Sequence, residues 1–407
     1  MEVVYERCCG MDIHKAKIVA CCLDEKNQQE IRTFGTMTGE LIELCEWLLE
    51  RKIQMVAMES TGSYWKPVYN ILEVMNVRAI LVNAQHIKAV PGRKTDVCDA
   101  QWIASLLRHG LLKASFVRSR EDRELRELIR YRISLIEERA REYNRLDKVL
   151  QGANIKLSSV ASHLGTKSGM EMIRAIAKGE TNERVLASLA VGTMKKKRPE
   201  LEKALQGLIQ LHQQKMLQMM LGHIEYLSQQ IDELDAEVEA RQQDNTALLE
   251  ALDAIPGVGK QSAEVILAEI GTDMSQFKSA KHLSSWAGVS PGQNESAGKR
   301  KRSRTRNGNP TLKKTLVQCA RAAGNTKTTY LSALHQRIAS RRGAKIATVA
   351  VARAILEICY FMIRDGSTYH DLGADYFTER DHQGILRRNK KKIEALGYKV
   401  TVEKITA

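Results

Sequence analysis

Four acidic residues in the first quarter of the chain stand where carboxylates are usually avoided. Asp12 lies inside an apolar strand-like run, and Glu59 ends another. Asp96 and Asp99 lie three residues apart where an apolar helix opens, so both side chains can project from one face. Taken singly, each could be a surface carboxylate or a helix cap. Converging carboxylates repel one another unless cations bridge them, so the four together predict a divalent-metal site.

Oxygen ligands of this kind favour Mg²⁺ or Mn²⁺. Two such ions, about 4 Å apart, would stabilise the attacking and leaving oxygens of phosphoryl transfer and would lower the pKa of a bound nucleophile. The chemistry predicted for this part of the chain is therefore the cleavage or transfer of phosphodiesters.

A glycine motif, Ile-Pro-Gly-Val-Gly at 255–259, has the form of a helix-hairpin-helix. Gly257 and Gly259 permit a tight turn, and the backbone N–H groups at the start of the next helix, from Lys260 onward, can then face a phosphate. Such a motif contacts the nucleic-acid backbone without reading its sequence. The alternative is an ordinary corner between two helices.

A basic run, Lys-Arg-Lys-Arg-Ser-Arg-Thr-Arg, occupies residues 299–306. So dense a run repels itself unless phosphate lies nearby. The alternative, a solvated loop, is weaker here because the run lies between apolar helices of one domain. We therefore expect nucleic-acid contacts from Lys299, Arg300, Lys301, Arg302, Arg304 and Arg306.

The composition agrees with a nucleic-acid partner. With 407 residues, 43% of them hydrophobic, the chain can form two or three domains with a sizeable core. Its formal charge of +15 favours a polyanion, because basic surface gains affinity by releasing counterions from a phosphate backbone.

The start of the chain lacks the layout of a secretory signal, so we expect a cytoplasmic protein without a membrane partner. Its eight cysteines should then be reduced and act as small apolar filler. The apolar stretch 346–363 is interrupted by Arg353 and Glu357, which favours a buried helix over a membrane span.

Hydrophobic periodicity indicates the elements that must position the acidic residues. Short β-rich runs alternate with helical segments up to about residue 117, which predicts an α/β domain over 1–117. We expect strands at 11–20, 18–23, 31–34, 54–58 and 77–83, and helices at 41–49, 64–74 and 96–109. This order allows Asp12 and Glu59 to lie on adjacent strands, with the last helix over their ends.

Residues 118–247 have dense charge and apolar residues at spacings of three and four, which predicts a helical coiled-coil arm. The glycine-containing segment 152–197 reads as its less regular far end. The arm could be a spacer or a dimerisation element, or it could contact nucleic acid. A third unit begins near residue 248, and the charged tail after residue 365 should be peripheral.

The order and spacing of these motifs resemble the DEDD transposases of insertion-sequence family one hundred and ten, the bridge-RNA-guided recombinases. The matching segments surround Asp12, Glu59 and the Asp96/Asp99 pair, and include Ile-Pro-Gly-Val-Gly and the later Ser-Ser-Trp-Ala-Gly-Val-Ser-Pro at 284–291. The resemblance covers nearly the whole chain. It implies a RuvC-like, RNase H-like N-terminal domain, a coiled-coil arm and a mainly α-helical transposase domain at 248–345, with a C-terminal helix and tail at 346–407.

The resemblance also implies an activity. Family members cut and rejoin donor and target DNA through a serine–phosphate intermediate, at sites chosen by a structured guide RNA. The matching serine is Ser296, although the family often shows paired serines here, so Ser290 and Ser303 are alternatives. Strand exchange needs at least two nucleophiles, which favours a homodimer or tetramer. The rival functions are a metal-dependent junction endonuclease that uses water and a non-enzymatic nucleic-acid-binding protein.

Overall fold

The computed structural model describes residues 2–59, 62–82, 96–292, 295–296, 299–300, 305 and 307–401. The chain divides into two compact units, Met1–Ser119 and Arg120–Ala407. The first unit contains a mixed sheet, and the second is helical apart from a short hairpin. An α/β N-terminal domain followed by a mainly helical remainder is therefore confirmed.

The N-terminal unit is built around a six-stranded sheet of order β3-β2-β1-β4-β5-β6. β1 is antiparallel to β2 and parallel to β4, which is in turn parallel to β5. The predicted succession of three strands, then alternating helices and strands, is confirmed. The elements are β1 (Cys8–Ile13), β2 (Ile18–Leu23), β3 (Gln29–Phe34), α1 (Thr38–Glu50), β4 (Met55–Glu59), α2 (Trp65–Val74), β5 (Ala79–Val82), α3 (Asp96–Arg108) and β6 (Ala114–Ser115).

The first strand differs from its predicted extent of 11–20. β1 begins at Cys8 and ends at Ile13, and a tight turn follows in which the His14 N–H donates to the Lys17 carbonyl over 2.9 Å. The reason is that small thiols at Cys8 and Cys9 can be buried, which extends the strand backwards, whereas the polar residues after Ile13 favour a turn.

Alternate side chains of the central strands face different helices, as the pleat requires. Cys9, Met11, Val56 and Met58 share one apolar core with α1 and α2. Cys8, Ala57 and Val82 pack on the opposite face, against the α3 residues Ala100, Ile103 and Ala104. Burial of seven of the eight cysteines confirms their reading as apolar filler.

Two long helices open the second unit, α4 (Arg120–Gly152) and α9 (Leu211–Arg241). They pair in antiparallel fashion, because Arg241, Asp235 and Ser228 of α9 contact α4 at successively later positions, Glu124, Arg132 and Arg139. Leu135, Leu227 and Ile231 pack between them. Long antiparallel helices are thus present, while a supercoiled heptad seam stays a prediction.

The segment between the two long helices forms a small helical module with its own core. Its helices are α5 (Leu157–Val160), α6 (Lys167–Ala177), α7 (Glu183–Ser188) and α8 (Arg198–Ala204). Met172, Ile173 and Leu201 are fully buried there, against Leu150 and Leu217 of the long helices. The predicted irregular far end is therefore a packed structure.

The rest of the second unit packs around the apolar helix α15 (Ala344–Asp365), which is the single helix of the described residues long and apolar enough to cross a membrane. Val351, Ile355 and Cys359 are fully buried in the core, which confirms the predicted buried helix. The elements are α10 (Thr246–Asp253), α11 (Lys260–Ile270), α12 (Ala280–Trp286), β7 (Glu295–Ser296), β8 (Lys299–Arg300), α13 (Pro310–Asn325), α14 (Tyr330–Arg342), α15 (Ala344–Asp365), α16 (Tyr376–Arg380) and α17 (His382–Glu394).

Candidate active site and nucleic-acid interface

Asp12 and Glu59 occupy neighbouring positions at the carboxyl ends of two parallel strands. The register pairs Met11 of β1 with Met58 of β4, so Asp12 and Glu59 are the next residue on each strand. Both share the parity of Gly10 and Ala57, the positions that face α3. The two carboxylates therefore lie on the α3 side of the sheet.

Helix α3 runs antiparallel to β1, which sets the position of its first turn. The Arg108 carbonyl accepts from the Val4 N–H over 2.8 Å, the Cys8 thiol contacts the Ala104 carbonyl, and Gly10 lies against Ala100 and Ala104. Asp99 directly precedes Ala100 on the helix and so lies toward the carboxyl end of β1. Asp96 begins α3, and its side chain lies outside the described residues.

The surroundings of Asp12 suit a carboxylate that binds a cation. Asp12 is 8% exposed, and its Oδ2 lies 3.0 Å from Nε2 of His14. A carboxylate so buried is costly without a cationic or hydrogen-bonding partner. Among the side chains that the structure describes, no three acidic, histidine or cysteine groups lie close enough to hold a metal ion. The fourth acidic residue, Asp96, stands outside that set, so the quartet stays a prediction.

The two glycines of the Ile-Pro-Gly-Val-Gly motif have different surroundings. Gly257 has a φ of +85°, and a Cβ atom there would come within 2.4 Å of the Cys319 carbonyl oxygen. Close packing against α13 thus explains this glycine. Gly259 caps α11 with open space where a Cβ would stand, and the exposed Lys260 ammonium lies 3.3 Å from Glu239. The start of α11 is therefore the accessible part of the motif.

Ser296 lies on a short hairpin that leaves the helical core. β7 and β8 pair antiparallel with Ser296 opposite Lys299 and Glu295 opposite Arg300, and Pro291 forms a bridge with Thr305. At the base, a Cβ on Gly308 would meet the Gly288 nitrogen at 2.4 Å, so the two backbones touch. The side chains of Ser296, Lys299 and Arg300, and all of Lys301, Arg302, Arg304 and Arg306, lie outside the described residues.

The chain after this hairpin is anchored by residues that sequence reasoning did not single out. Asn309 caps α13 through the Leu312 N–H and donates its side-chain amide to Glu269 over 2.6 Å. Glu269 is fully buried, and the Arg130 guanidinium donates two hydrogen bonds of 2.7 and 2.9 Å to its carboxylate oxygens. The sequence signal for Glu269 was a carboxylate within the apolar run of α11, and a carboxylate within an apolar run was also the signal that singled out Asp12.

Comparison with known proteins assigns both parts of the chain to one group. Residues 9–155 match a transposase family of DEDD type named for IS110. Residues 249–336 match the transposase family IS116/IS110/IS902. The first match contains all four acidic residues, and the second contains the glycine motif, Ser296 and the basic run.

Three relatives align over most of the chain. The transposase for insertion sequence element IS1111A of Coxiella burnetii is 25% identical over 88% of this chain and 90% of its own length. A probable family 20 transposase of Pseudomonas aeruginosa is 23% identical over 77% of this chain and 85% of its own. The transposase for IS1328 of Yersinia enterocolitica is 22% identical over 88% and 97%.

Proposed function

Since this chain belongs to the IS110 family of insertion-sequence transposases, and so cleaves and rejoins DNA, we propose that it does so through a covalent bond to Ser296 assisted by Mg²⁺ or Mn²⁺. The observation that carries the metal part is the in-register placement of Asp12 and Glu59 on the sheet face covered by α3. The substrates are the donor and target DNA of the element.

The cation would be held by Asp12, Glu59, Asp96 and Asp99. All four are carboxylates, the donors that Mg²⁺ and Mn²⁺ prefer. When bound, the ions supply electrostatic stabilisation of the oxygens around the reacting phosphorus. The His14 Nε2, 3.0 Å from Asp12 Oδ2, would orient that carboxylate.

The covalent step exchanges one phosphoester for another. The Ser296 oxygen bonds to phosphorus, the bond to one deoxyribose oxygen breaks, and the serine proton passes to a base while the leaving oxygen gains one. A deoxyribose hydroxyl of the second DNA then attacks the phosphoserine and returns the serine. Because the bond energy is stored, rejoining needs no ATP. Arg300, Arg302 and Arg304 would stabilise the developing phosphorane charge.

Trapping on nicked suicide DNA tests this step. Wild-type protein should form an adduct that resists denaturant, Ser296→Ala should form none, and the matched control Ser303→Ala should retain it. If wild type forms no adduct, the serine mechanism is wrong and water is the nucleophile. An undiminished adduct in Ser296→Ala would refute the role of Ser296 and assign the covalent bond to another residue.

A structured guide RNA would choose the DNA sites. The support is the family assignment together with the formal charge of +15, which favours polyanionic partners. Sequencing of RNA that copurifies with the protein should recover a structured transcript of the element, and ribonuclease treatment should abolish site selection. Retention of site choice after complete digestion would exclude the guide.

A homodimer or tetramer would form through α9. Leu211, Met219 and Tyr226 lie at spacings of eight and seven on one face of this helix and are 83%, 68% and 59% exposed. Apolar residues in such a stripe favour helix association. Met219→Lys with Tyr226→Lys should yield monomers in sedimentation, whereas Gln229→Lys with Glu233→Lys should not. An unchanged mass for the first variant would exclude this interface.

A further inference from the structure

A cleft of about 680 Å³ lies in the C-terminal region, between α14 and α16, and none of the roles above uses it. Its α14 wall carries three arginines, with Leu334 and Ile338 as its apolar part. The opposite wall comes from α16 and the residue after it. The polar and aromatic lining consists of Arg337, Arg341, Arg342, Phe377, Arg380 and Asp381.

The cleft carries unbalanced positive charge. Four guanidinium groups face one carboxylate, Asp381, which leaves three net positive charges, and Asp381 has another interaction besides. Within the described part of the chain, none of the four arginines forms an ion pair, in contrast to Arg130, Arg132 and Arg174 of the same unit. Like charges gathered in a concave site attract anions strongly, because the low-dielectric walls focus their field.

The walls are held in place by aromatic and polar contacts. Phe377 stacks on Tyr330 with ring centroids 5.3 Å apart, and the Arg337 guanidinium lies 4.9 Å from the centre of the Phe377 ring. Asp371, on the segment that leads to α16, accepts from the Tyr330 N–H over 2.9 Å. The arginines therefore project from a fixed frame, which lowers the entropy lost when a ligand binds.

The size of the cleft, and the basic sequence that follows its last residue, indicate a polymeric anion. Its volume is in the range of sites for organic ligands and exceeds what one phosphate requires. The helix that follows directly, α17, adds Arg387, Lys390, Lys391 and Lys392 to the same region of sequence. Further cations directly after the cleft residues in sequence agree with a ligand that carries repeated negative charges.

We propose that this arginine cleft binds the sugar–phosphate backbone of a nucleic-acid strand, at a site separate in sequence from the hairpin motif and the basic run at 299–306. The planar guanidinium forms paired hydrogen bonds to phosphate oxygens, which a lysine cannot reproduce. The proposal rests on nucleic acid as the partner of the transposase, but not on the serine or the metal chemistry.

The test replaces cleft charges without disturbing the stacked Arg337. Full-length Arg341→Gln/Arg342→Gln/Arg380→Gln is compared with Lys167→Gln/Lys178→Gln/Lys203→Gln, which removes the same charge from exposed positions of the small module. The probes are a 30-nucleotide RNA, DNA of the same sequence and the corresponding duplex DNA. Affinity is measured across a salt series, after circular dichroism has shown that both variants are folded.

The plot of log affinity against log salt has a negative slope. In the cleft variant, its magnitude for the probe that occupies the cleft should be smaller than in wild type by about 2–3, since each lost phosphate contact removes about 0.7–0.9. The control should keep the wild-type slope. A loss confined to RNA identifies RNA as the ligand, and a loss confined to DNA identifies DNA. Equal losses in both triple variants, or none in the cleft variant, would overturn the proposal.

One further variant completes the design. Should the triple variant fail to fold, Arg341→Gln/Arg342→Gln changes two exposed side chains and should lower the magnitude of the slope by about 1.5. The adduct assay and the salt slope depend on different residues, so a failed adduct assay with intact cleft binding would refute the serine mechanism alone.

Discussion

Gly10 lies directly against Ala104: a Cβ atom at Gly10 would stand 2.3 Å from the Ala104 backbone nitrogen and 2.4 Å from the Ala100 carbonyl oxygen. Because these are backbone atoms of α3, no side-chain rotation can relieve the overlap. The distance between β1 and α3, and with it the position of the first turn of α3 over the sheet, therefore depends on the missing side chain.

Gly10→Ala should displace α3 from the sheet and destabilise the N-terminal unit by about 1–3 kcal/mol, the usual cost of overpacking. DNA cleavage by the protein that is still folded should also fall, since Asp96 and Asp99 move with the helix. Urea unfolding and cleavage assays measure the two effects. Gly39→Ala is the matched control, because nothing lies within 4 Å of the added carbon; it should leave cleavage unchanged and raise stability by about 1 kcal/mol or less.

Mg²⁺ or Mn²⁺ should raise the unfolding midpoint of the wild-type protein, because a ligand that binds only the folded state stabilises it. At a concentration one hundred times its dissociation constant, such a ligand adds about 2.7 kcal/mol to the unfolding free energy. Asp12→Asn should remove this shift while the metal-free midpoint stays close to that of wild type. Glu50→Gln, an exposed acid at the end of α1, serves as the control and should keep the shift. An equal metal response in Asp12→Asn would contradict the assignment of Asp12 as a ligand.

Local pattern was enough to predict the sheet and the placement of its acidic residues. Strand and helix runs alternate along the N-terminal unit, and parallel strands joined through a helix align their carboxyl ends. Asp12 and Glu59 could therefore be placed on adjacent strands from sequence. The exact start of β1 could not, because Cys8 and Cys9 read equally well as loop residues until their burial is known.

Contacts between distant segments were beyond sequence reasoning. Arg130 and Glu269 are 139 positions apart, and no local pattern couples them. The arginine cleft likewise forms only where α14 and α16 meet. Their meeting depends on the hydrogen bond that the Tyr330 N–H donates to Asp371, on the segment before α16. The small module was read as irregular because its helices are short and separated by glycines, whereas its core forms only when those helices pack together.

Burial raises the pKa of the Cys45 thiol to about 11, with a further contribution from the negative charge of Glu46. Because the pKa of this thiol is higher in the folded than in the unfolded state, its contribution to the unfolding free energy is fully present below about pH 9. The contribution is lost as pH rises toward 11, since the thiol of the unfolded chain ionises first. Each such group contributes a slope of about 1.4 kcal/mol per pH unit.

Cys45→Ala should therefore make the decline in unfolding free energy between pH 9 and 11 shallower by about that slope. Urea titrations at several pH values measure it. Val68→Ala shortens another buried side chain of the same unit without removing a titrating group, so it should lower stability at every pH and keep the wild-type slope. Parallel curves for Cys45→Ala and wild type would exclude this linkage.

Arg132 is 1% exposed and joins the two long helices to the transposase core, with Nη1 2.7 Å from Asp235 and Nη2 2.6 Å from Glu264. Arg132→Ala leaves the buried Glu264 carboxylate without its cation, so it should cost about 3–5 kcal/mol in unfolding free energy.

Arg174→Ala breaks the exposed contacts to Glu171 and Glu225 and should cost about 1 kcal/mol or less. Adding Glu264→Gln to Arg132→Ala should recover part of the loss, because no net charge then stays buried beside the vacated site. A double variant no more stable than Arg132→Ala would show that packing of the arginine side chain, and not its charge, holds the helices to the core.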